Sequence, residues 1–266
     1  MDVSLMEIKE LNFDEIGYWS EVKLDIIKDY AKEYSKILSS QKNPELEHVY
    51  IDAFAGAGIH ISRTTGEFVK GSPLNALYVN PPFNKYYFID LDRKKVNELI
   101  QIIGNRKNVY VDEGDCNEIL LRKVFTKVKF EDYKRALCLL DPYGLHLNWE
   151  VIETAGKMRS IEIFLNFPVM DINRNVLWRN PEGVSLHNLN RMNSFWGDDS
   201  WQKISYSKTP DIFGYEEIIK VETYKIVEEY RKRLKNIAKF KYIPQPIPMR
   251  NTIGKTVYYL FICLTQ

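Results

Sequence analysis

The sequence has little with which to bind a metal or build a disulfide framework. Its three cysteines, Cys116, Cys138 and Cys263, are widely separated and odd in number, with no C-x-x-C spacing. Such a set supports neither a zinc or iron–sulfur site nor a network of crosslinks. The four histidines, His48, His60, His146 and His187, show no metal-ligand spacing either, so no metal is expected. Charge of one sign is also missing: 37 basic against 36 acidic side chains leave a net +1. No global field draws the chain to nucleic acid or to a membrane surface, and any basic surface must be local. No apolar run reaches the ~20 residues that cross a bilayer, and residues 1–10 hold no apolar stretch flanked by basic residues. A protein of the reducing cytoplasm, without a membrane anchor, is expected. There are no internal repeats or low-complexity tracts.

What is present is an ordinary globular composition, 45% hydrophobic and 27% charged over 266 residues. That length suffices for one large α/β domain with an insertion. Trp19, Val22, Ile26, Ile27, Tyr30, Tyr34 and Leu38 recur at helical spacing and predict an amphipathic helix over 18–38. Strands are expected at 49–54, 85–91, 108–112, 135–140 and 161–167, alternating with helices at 93–103, 117–128 and 149–157. This alternation predicts a doubly wound, parallel sheet. Residues 60–70 read as a loop, after which Ser72 as N-cap and Pro73 at the first helical position open a short helix. Beyond Pro168 the rhythm breaks. Residues 171–208 read as an insertion of short helices and loops, a long helix is expected over about 215–235, and 241–264 as a closing hairpin. One domain follows, with an N-terminal helical cap (1–47), a ligand-binding core (48–168), the insertion (169–212) and a C-terminal helix with hairpin (213–266).

The most informative residues are Val49-Tyr50-Ile51-Asp52-Ala53-Phe54-Ala55-Gly56-Ala57-Gly58. A buried strand feeding a glycine-rich turn brings backbone close to a nucleotide-like ligand. Gly56 and Gly58 permit backbone angles that a Cβ forbids. The dinucleotide fingerprint G-x-G-x-x-G requires a third glycine, and Ile61 stands there, which weakens a nicotinamide oxidoreductase reading. Asp52, Asp90, Asp115 and Asp141 fall at or just beyond the ends of successive strands, where ligands of open α/β sheets bind. Asp90 suits two ribose hydroxyls, Asp115 an adenine amine, and Asp52 the cationic end of a ligand; a helix N-cap is the structural alternative for each. A second stretch, Asp141-Pro142-Tyr143-Gly144, reads either as a plain turn or as a grip on an amine. In the second reading Asp141 and the Pro142 carbonyl accept the amine's hydrogens while Tyr143 clamps a planar base.

D-x-F-x-G-x-G resembles the first motif of the class I S-adenosylmethionine (SAM) methyltransferases. Asp-Pro-Tyr-Gly resembles the Asp/Asn-Pro-Pro-Tyr motif of nucleobase amine methyltransferases, but has one proline. In this it is more similar to the tRNA guanine N2-dimethyltransferases. Taken together, Tyr50 to Gly56, Gly71-Ser72-Pro73-Leu74, Phe88-Ile89-Asp90, Asp141 to Gly144, Leu165-Asn166-Phe167-Pro168, Trp19 with Lys23-Leu24, and Phe195-Trp196-Gly197 before Trp201 resemble the three-Cys-motif partner (TcmP) family. Its members are bacterial, archaeal and phage-associated. The resemblance implies a Rossmann-like, mostly parallel seven-stranded sheet and SAM as cofactor. It places Asp52, Phe54, Gly56, Gly58, Asp90 and Asp115 around SAM, with Asp141, Pro142 and Tyr143 as catalytic residues. It also implies a partner: a neighbouring three-cysteine protein of radical-SAM type, whose cysteines are not those of this chain.

The function expected is N-methylation of a nucleobase in RNA or DNA. The alternative is a non-catalytic SAM-binding scaffold for the three-cysteine protein. Three further features are weighed. Arg231, Lys232, Arg233 and Lys235 begin a run of six basic residues without an acid, readable as a solvated helix face or as a phosphate-binding stripe. Arg174, Trp178, Arg179, His187, Arg191, Trp196 and Trp201 mix cations and aromatics, as base-stacking platforms do and as core tryptophans beside surface arginines also do. Gly254-Lys255-Thr256 resembles the end of a P-loop, but Met249 holds the first glycine's place and a strand follows, so ATP binding is not expected.

Overall fold

The computed structural model describes residues 13–210, 216–251 and 253–265. By internal contacts the chain divides into two compact units, Met1–Leu140 and Asp141–Gln266. Residues 1–10, read above for a targeting segment, lie outside the described residues.

The first unit opens with strand β1 (Glu15–Ile16) and helix α1 (Tyr18–Ser39). Leu24, Ile27, Ala31 and Tyr34, three or four apart, form the buried face of α1, and Tyr34 stacks on Phe83 at 6.1 Å. Each large apolar side chain so buried contributes up to about 1.5–3 kcal/mol. Strands β2 (Glu47–Asp52), β5 (Lys85–Asp90), β6 (Val109–Glu113) and β7 (Lys134–Leu140) are mutually parallel: β2 pairs with both β5 and β7, and β5 with β6. The apolar residues of β2, β5 and β7 are buried nearly throughout, as strands covered on both faces require, whereas those of the edge strand β6 are half-buried or exposed. The chain leaves β2 toward β5 on one side, while β7 lies on the other. β2 is therefore the topological switch point, the place beyond whose carboxyl end ligands of open α/β sheets bind.

Residues 60–70 are not a plain loop. Strands β3 (Ile59–Ser62) and β4 (Phe68–Lys70) form an antiparallel hairpin, with β1 parallel to β3. Ser62 Oγ accepts the N–H groups of Thr64 and Thr65 at 3.2 Å, and Gly66 turns the chain at φ +74°. The hairpin closes at its base where Gly71 N–H donates to Gly58 O at 2.7 Å. This close approach also overturns Ser72 as N-cap. Gly71 caps helix α2 (Ser72–Leu77), and a Cβ on Gly71 would lie 3.0 Å from Gly58 O. Helix α3 (Arg93–Ile103) is capped by Asp92, whose side chain accepts from Lys94 N–H at 2.8 Å. The helix expected over 117–128 is α only as α4 (Cys116–Ile119), then winds as a π turn over Leu120–Val124 and a 3-10 turn over Phe125–Lys127.

The second unit contains helix α5 (Trp149–Met158), strand β8 (Ile161–Phe167), helices α6 (Val169–Asn175), α7 (Leu186–Trp196) and α8 (Trp201–Ser205), and the antiparallel strands β9 (Tyr206–Pro210) and β10 (Glu216–Lys220). Helix α9 (Thr223–Asn236) and strands β11 (Ile247–Arg250) and β12 (Thr256–Cys263) complete it. β12 pairs antiparallel with β8 and β11, giving the expected closing hairpin. The long helix expected from about 215 starts only at Thr223, because 216–220 pair with β9; Tyr215 lies outside the described residues. The core of this unit is aromatic, with Tyr230 ringed by Phe167, Phe195, Trp196 and Trp149 at 4.8–5.7 Å. Trp196 and Trp201 are fully buried and donate their indole N–H to Ser200 Oγ and Asn193 Oδ1. They are core residues and offer no face to a base. Gly156 of α5 lies against the Ala238 carbonyl, where an added Cβ would stand 2.0 Å from the oxygen.

The seven-stranded sheet has the order β11-β12-β8-β7-β2-β5-β6. The fold is α/β, with a mostly parallel, Rossmann-like sheet.

Candidate functional site

Strand register brings three of the acidic positions to one edge of the first unit. Asp52 ends β2 opposite Phe88, and Asp90 ends β5 opposite Glu113. Gly114, at φ +143°, donates its N–H to Asp90 O at 3.0 Å and leads into Asp115. Because parallel strands start and stop together here, their carboxyl ends and the turns beyond share this edge.

The glycine turn is held open by one of these acids. Asp90 Oδ2 accepts Gly56 N–H at 2.8 Å and Oδ1 accepts Asp92 N–H at 2.9 Å. Gly56 sits at φ +62° and nothing lies within 4 Å of the place a Cβ would take, so its backbone is approachable. Gly58, at φ +82°, is packed instead: a Cβ there would meet Leu99 Cδ1 at 2.7 Å. One glycine leaves room for a ligand, and the other lets helix α3 pack beneath the turn. Beyond Gly58 the chain enters β3 rather than a helix, which is not the strand–turn–helix context of a dinucleotide fingerprint.

Asp52 is completely buried, and its Oδ1 accepts Phe54 N–H at 3.2 Å. Its visible work is to shape the turn; Phe54 is half-buried. Asp115 N-caps α4, with Oδ1 accepting both N–H and Nδ2–H of Asn117 at 2.9 and 2.8 Å. Leu91, beside Asp90, was not singled out from the sequence. At 75% exposure it is an aliphatic side chain held in solvent next to an acid, and a strand-end Asp followed by Leu is the signal that could have found it. The thiols are inert at neutral pH: burial, aided by the Asp115 charge, pushes Cys116 up to about 12. Cys138 and Cys263 also rise through burial. Among the described residues no group of three His, Cys, Asp or Glu side chains is placed to hold a metal ion.

In the second unit, Asp141 follows β7 and is held by Asn166 of β8, whose Nδ2 donates to Asp141 Oδ1 at 2.7 Å. Only a donor can face a carboxylate oxygen, so this bond also sets the orientation of the Asn166 amide. Asn166, within Leu165-Asn166-Phe167-Pro168, is a partner of Asp141 that sequence reasoning left unassigned. Pro142 is buried, Tyr143 is 92% exposed, and Gly144 turns at φ +73°. The turn therefore presents an aromatic ring to solvent two residues from an oriented carboxylate.

Two cations of the basic run, Arg231 and Arg233, are engaged by the fold. Arg231 donates Nε and Nη2 to Ile243 O at 3.0 and 2.7 Å. Arg233 pairs with Asp198 at 2.9 Å and lies over Trp149 and Trp196. Lys232 pairs with Glu229 at 2.5 Å, and Lys235 is exposed. Lys255 precedes strand β12, which is not P-loop geometry. No helix among the described residues is long and apolar enough to cross a membrane.

No family model matches the chain, and no curated protein matches it. Solved structures do. A Legionella pneumophila protein is similar at 14% identity and a TM-score of 0.42, over 81% of this chain and 92% of its own. A Listeria monocytogenes protein described as a SAM-dependent methyltransferase is similar at 12% identity and a TM-score of 0.39, over 90% of this chain and 99% of its own. Trm1 from Pyrococcus horikoshii, solved with SAM, is similar at 11% identity and a TM-score of 0.43, over 90% of this chain but 55% of its own. At these values the likeness carries no residue's role across. The resemblance to the TcmP family rests on its motifs alone.

Proposed function

We infer that the chain is a SAM-dependent N-methyltransferase acting on a nucleobase amine in RNA or DNA. The observation that carries this reading is the Asp141–Asn166 pair, a carboxylate oriented at 2.7 Å beside a solvent-exposed Tyr143. The residues of the glycine turn suit the cofactor. Gly56 offers open backbone, Asp90 a carboxylate for ribose hydroxyls, and Leu91 an apolar surface for an adenine face. Asp115 remains the candidate acceptor for an adenine amine. Bound SAM supplies an electrophilic methyl group on a sulfonium, so the protein needs little acid–base chemistry. Its task is positioning. Asp141 and the Pro142 carbonyl accept hydrogen bonds from the target amine and aim its lone pair, while Tyr143 stacks on the base. The Asp141 carboxylate is also at hand for the proton the nitrogen sheds after alkylation.

The test is calorimetric titration with SAM, S-adenosylhomocysteine and NADH, followed by labelled-methyl transfer to tRNA and DNA. Micromolar binding of the adenosyl ligands alone is expected. Asp141→Ala should lower transfer at least about a hundred-fold while leaving SAM affinity within about two-fold. Undiminished transfer by Asp141→Ala would remove Asp141 from the chemistry. Absence of SAM binding, with and without the three-cysteine protein added, would sink the cofactor assignment.

A further inference from the structure

Helix α7 carries a guanidinium that the protein leaves short of acceptors. Arg191 Nη1 reaches Asn188 Oδ1 at 3.3 Å, and Nη2 reaches Asp171 Oδ2 at 3.5 Å. Both distances are at the long limit for a hydrogen bond. Its Nε is buried and meets no acceptor among the described residues. Five N–H donors thus share two weak bonds. Asp171 is better served by Asn175, whose Nδ2 donates to its other oxygen at 2.7 Å. Taking a guanidinium out of water without matching acceptors is unfavourable, and its planar fork suits a phosphate.

The position of this cation gives it a use. A Cβ built on Gly144 would lie 3.1 Å from both Arg191 Nη2 and Asp171 Oδ2. The ion pair therefore rests directly against the Asp141-Pro142-Tyr143-Gly144 turn, one residue from the exposed ring of Tyr143. A nucleotide whose base stacks on that ring carries its phosphate only a sugar away.

We propose that Arg191 binds a backbone phosphate next to the target base, so that the substrate is a polynucleotide or nucleotide and not a free base. The proposal rests on the nucleobase reading above. In it, the phosphate displaces the long contact to Asp171, which holds the guanidinium in place while no substrate is bound.

The experiment is fluorescence anisotropy of labelled single-stranded DNA and RNA oligonucleotides with the full chain, across a series of KCl concentrations. Arg191→Gln should weaken binding roughly ten-fold at low salt. It should also lower the slope of log K against log[KCl] by about 0.7, the value of one single-strand phosphate contact, whatever the sequence. Arg191→Lys keeps the charge and should retain the slope. Asp171→Asn removes the competing anion and should bind at least as tightly as wild type. An unchanged slope in Arg191→Gln, or parallel losses in Arg191→Gln and Asp171→Asn, would overturn the phosphate contact and leave the nucleobase reading standing. Wild-type protein that binds SAM but no oligonucleotide would overturn both.

Discussion

Replacing Asp90 with asparagine tests whether the glycine turn is held as described. The substitution is isosteric and leaves no cavity, so its effect is electrostatic and hydrogen-bonding alone. Asp90 commits one oxygen to Gly56 N–H at 2.8 Å and the other to Asp92 N–H at 2.9 Å. An amide has one acceptor atom, so one backbone N–H must face an NH2 group. A hydrogen bond to a charged group contributes about 1.5–3 kcal/mol. Asp90 is only half-buried and water can take its place in part, so a loss of about 1–2 kcal/mol is expected. For a chain of this size that lowers Tm by roughly 2–8 °C. Asp115→Asn is the internal control. Asp115 uses a single oxygen for both of its bonds to Asn117, an asparagine oxygen can accept both, and stability should hold within about 0.5 kcal/mol. Urea denaturation of wild type and both variants without ligand measures this difference. On the proposed cofactor reading, in which the carboxylate also serves the ribose, calorimetry of the same variants should show SAM binding weakened at least about ten-fold by Asp90→Asn. Equal stabilities for Asp90→Asn and Asp115→Asn would refute the account of the turn, whatever the ligand result.

Gly156→Ala should destabilise, although alanine is the better helix former by about 1 kcal/mol. The new methyl would stand 2.0 Å from the Ala238 carbonyl oxygen, a backbone atom with little freedom to move. Overpacking of this kind costs about 1–3 kcal/mol or more, and a Tm equal to or above wild type would show that the Ala238 segment yields. Burial holds His48 below its ordinary pKa, and it contacts Ser35 Oγ at 2.8 Å. The unfolded chain therefore takes up this proton at about pH 6.5, whereas the folded chain does so at lower pH. The stability due to neutral His48 is complete above that value and falls as pH drops, by at most about 1.4 kcal/mol per pH unit until the folded pKa is reached. Urea midpoints at pH 7.5, 6.5 and 5.5 should show a steeper fall for wild type than for His48→Gln; parallel curves would mean His48 titrates alike in both states.

Local patterning was legible where an element's own residues decide it. The apolar spacing of α1, the largely apolar β8 and helix α3 appear at the positions read from the chain, because burial of one stripe or of most of a strand writes a pattern into the sequence. The β3–β4 hairpin left no such period. Its strands are short, partly polar, and held by pairing with each other and with β1, some 45 residues away. Likewise 216–220 read as the start of a helix, since pairing with β9 is a non-local choice. Ser72 looked the better cap, but the helix starts one residue earlier, on Gly71, whose N–H donates to Gly58 O and where a Cβ would crowd that oxygen at 3.0 Å.

The sequence alone determined the glycine turn after the first core strand, the acids at the ends of its neighbours, and the Asp-Pro-Tyr-Gly turn. Each is a local matter of a strand meeting residues that bend or cap it. What those groups do was decided by the tertiary structure. Long-range contact gave one oxygen of Asp90 to the Gly56 N–H and set Asn166 on Asp141, 25 residues away. Packing carried Arg233 to Asp198 and Arg231 to the Ile243 carbonyl, engaging two cations of the basic run within the fold. It left Arg191, with only long contacts, against the turn that carries Tyr143. A hydrogen bond joins groups that are near in space, and no periodicity along a chain records which distant partner the fold will bring.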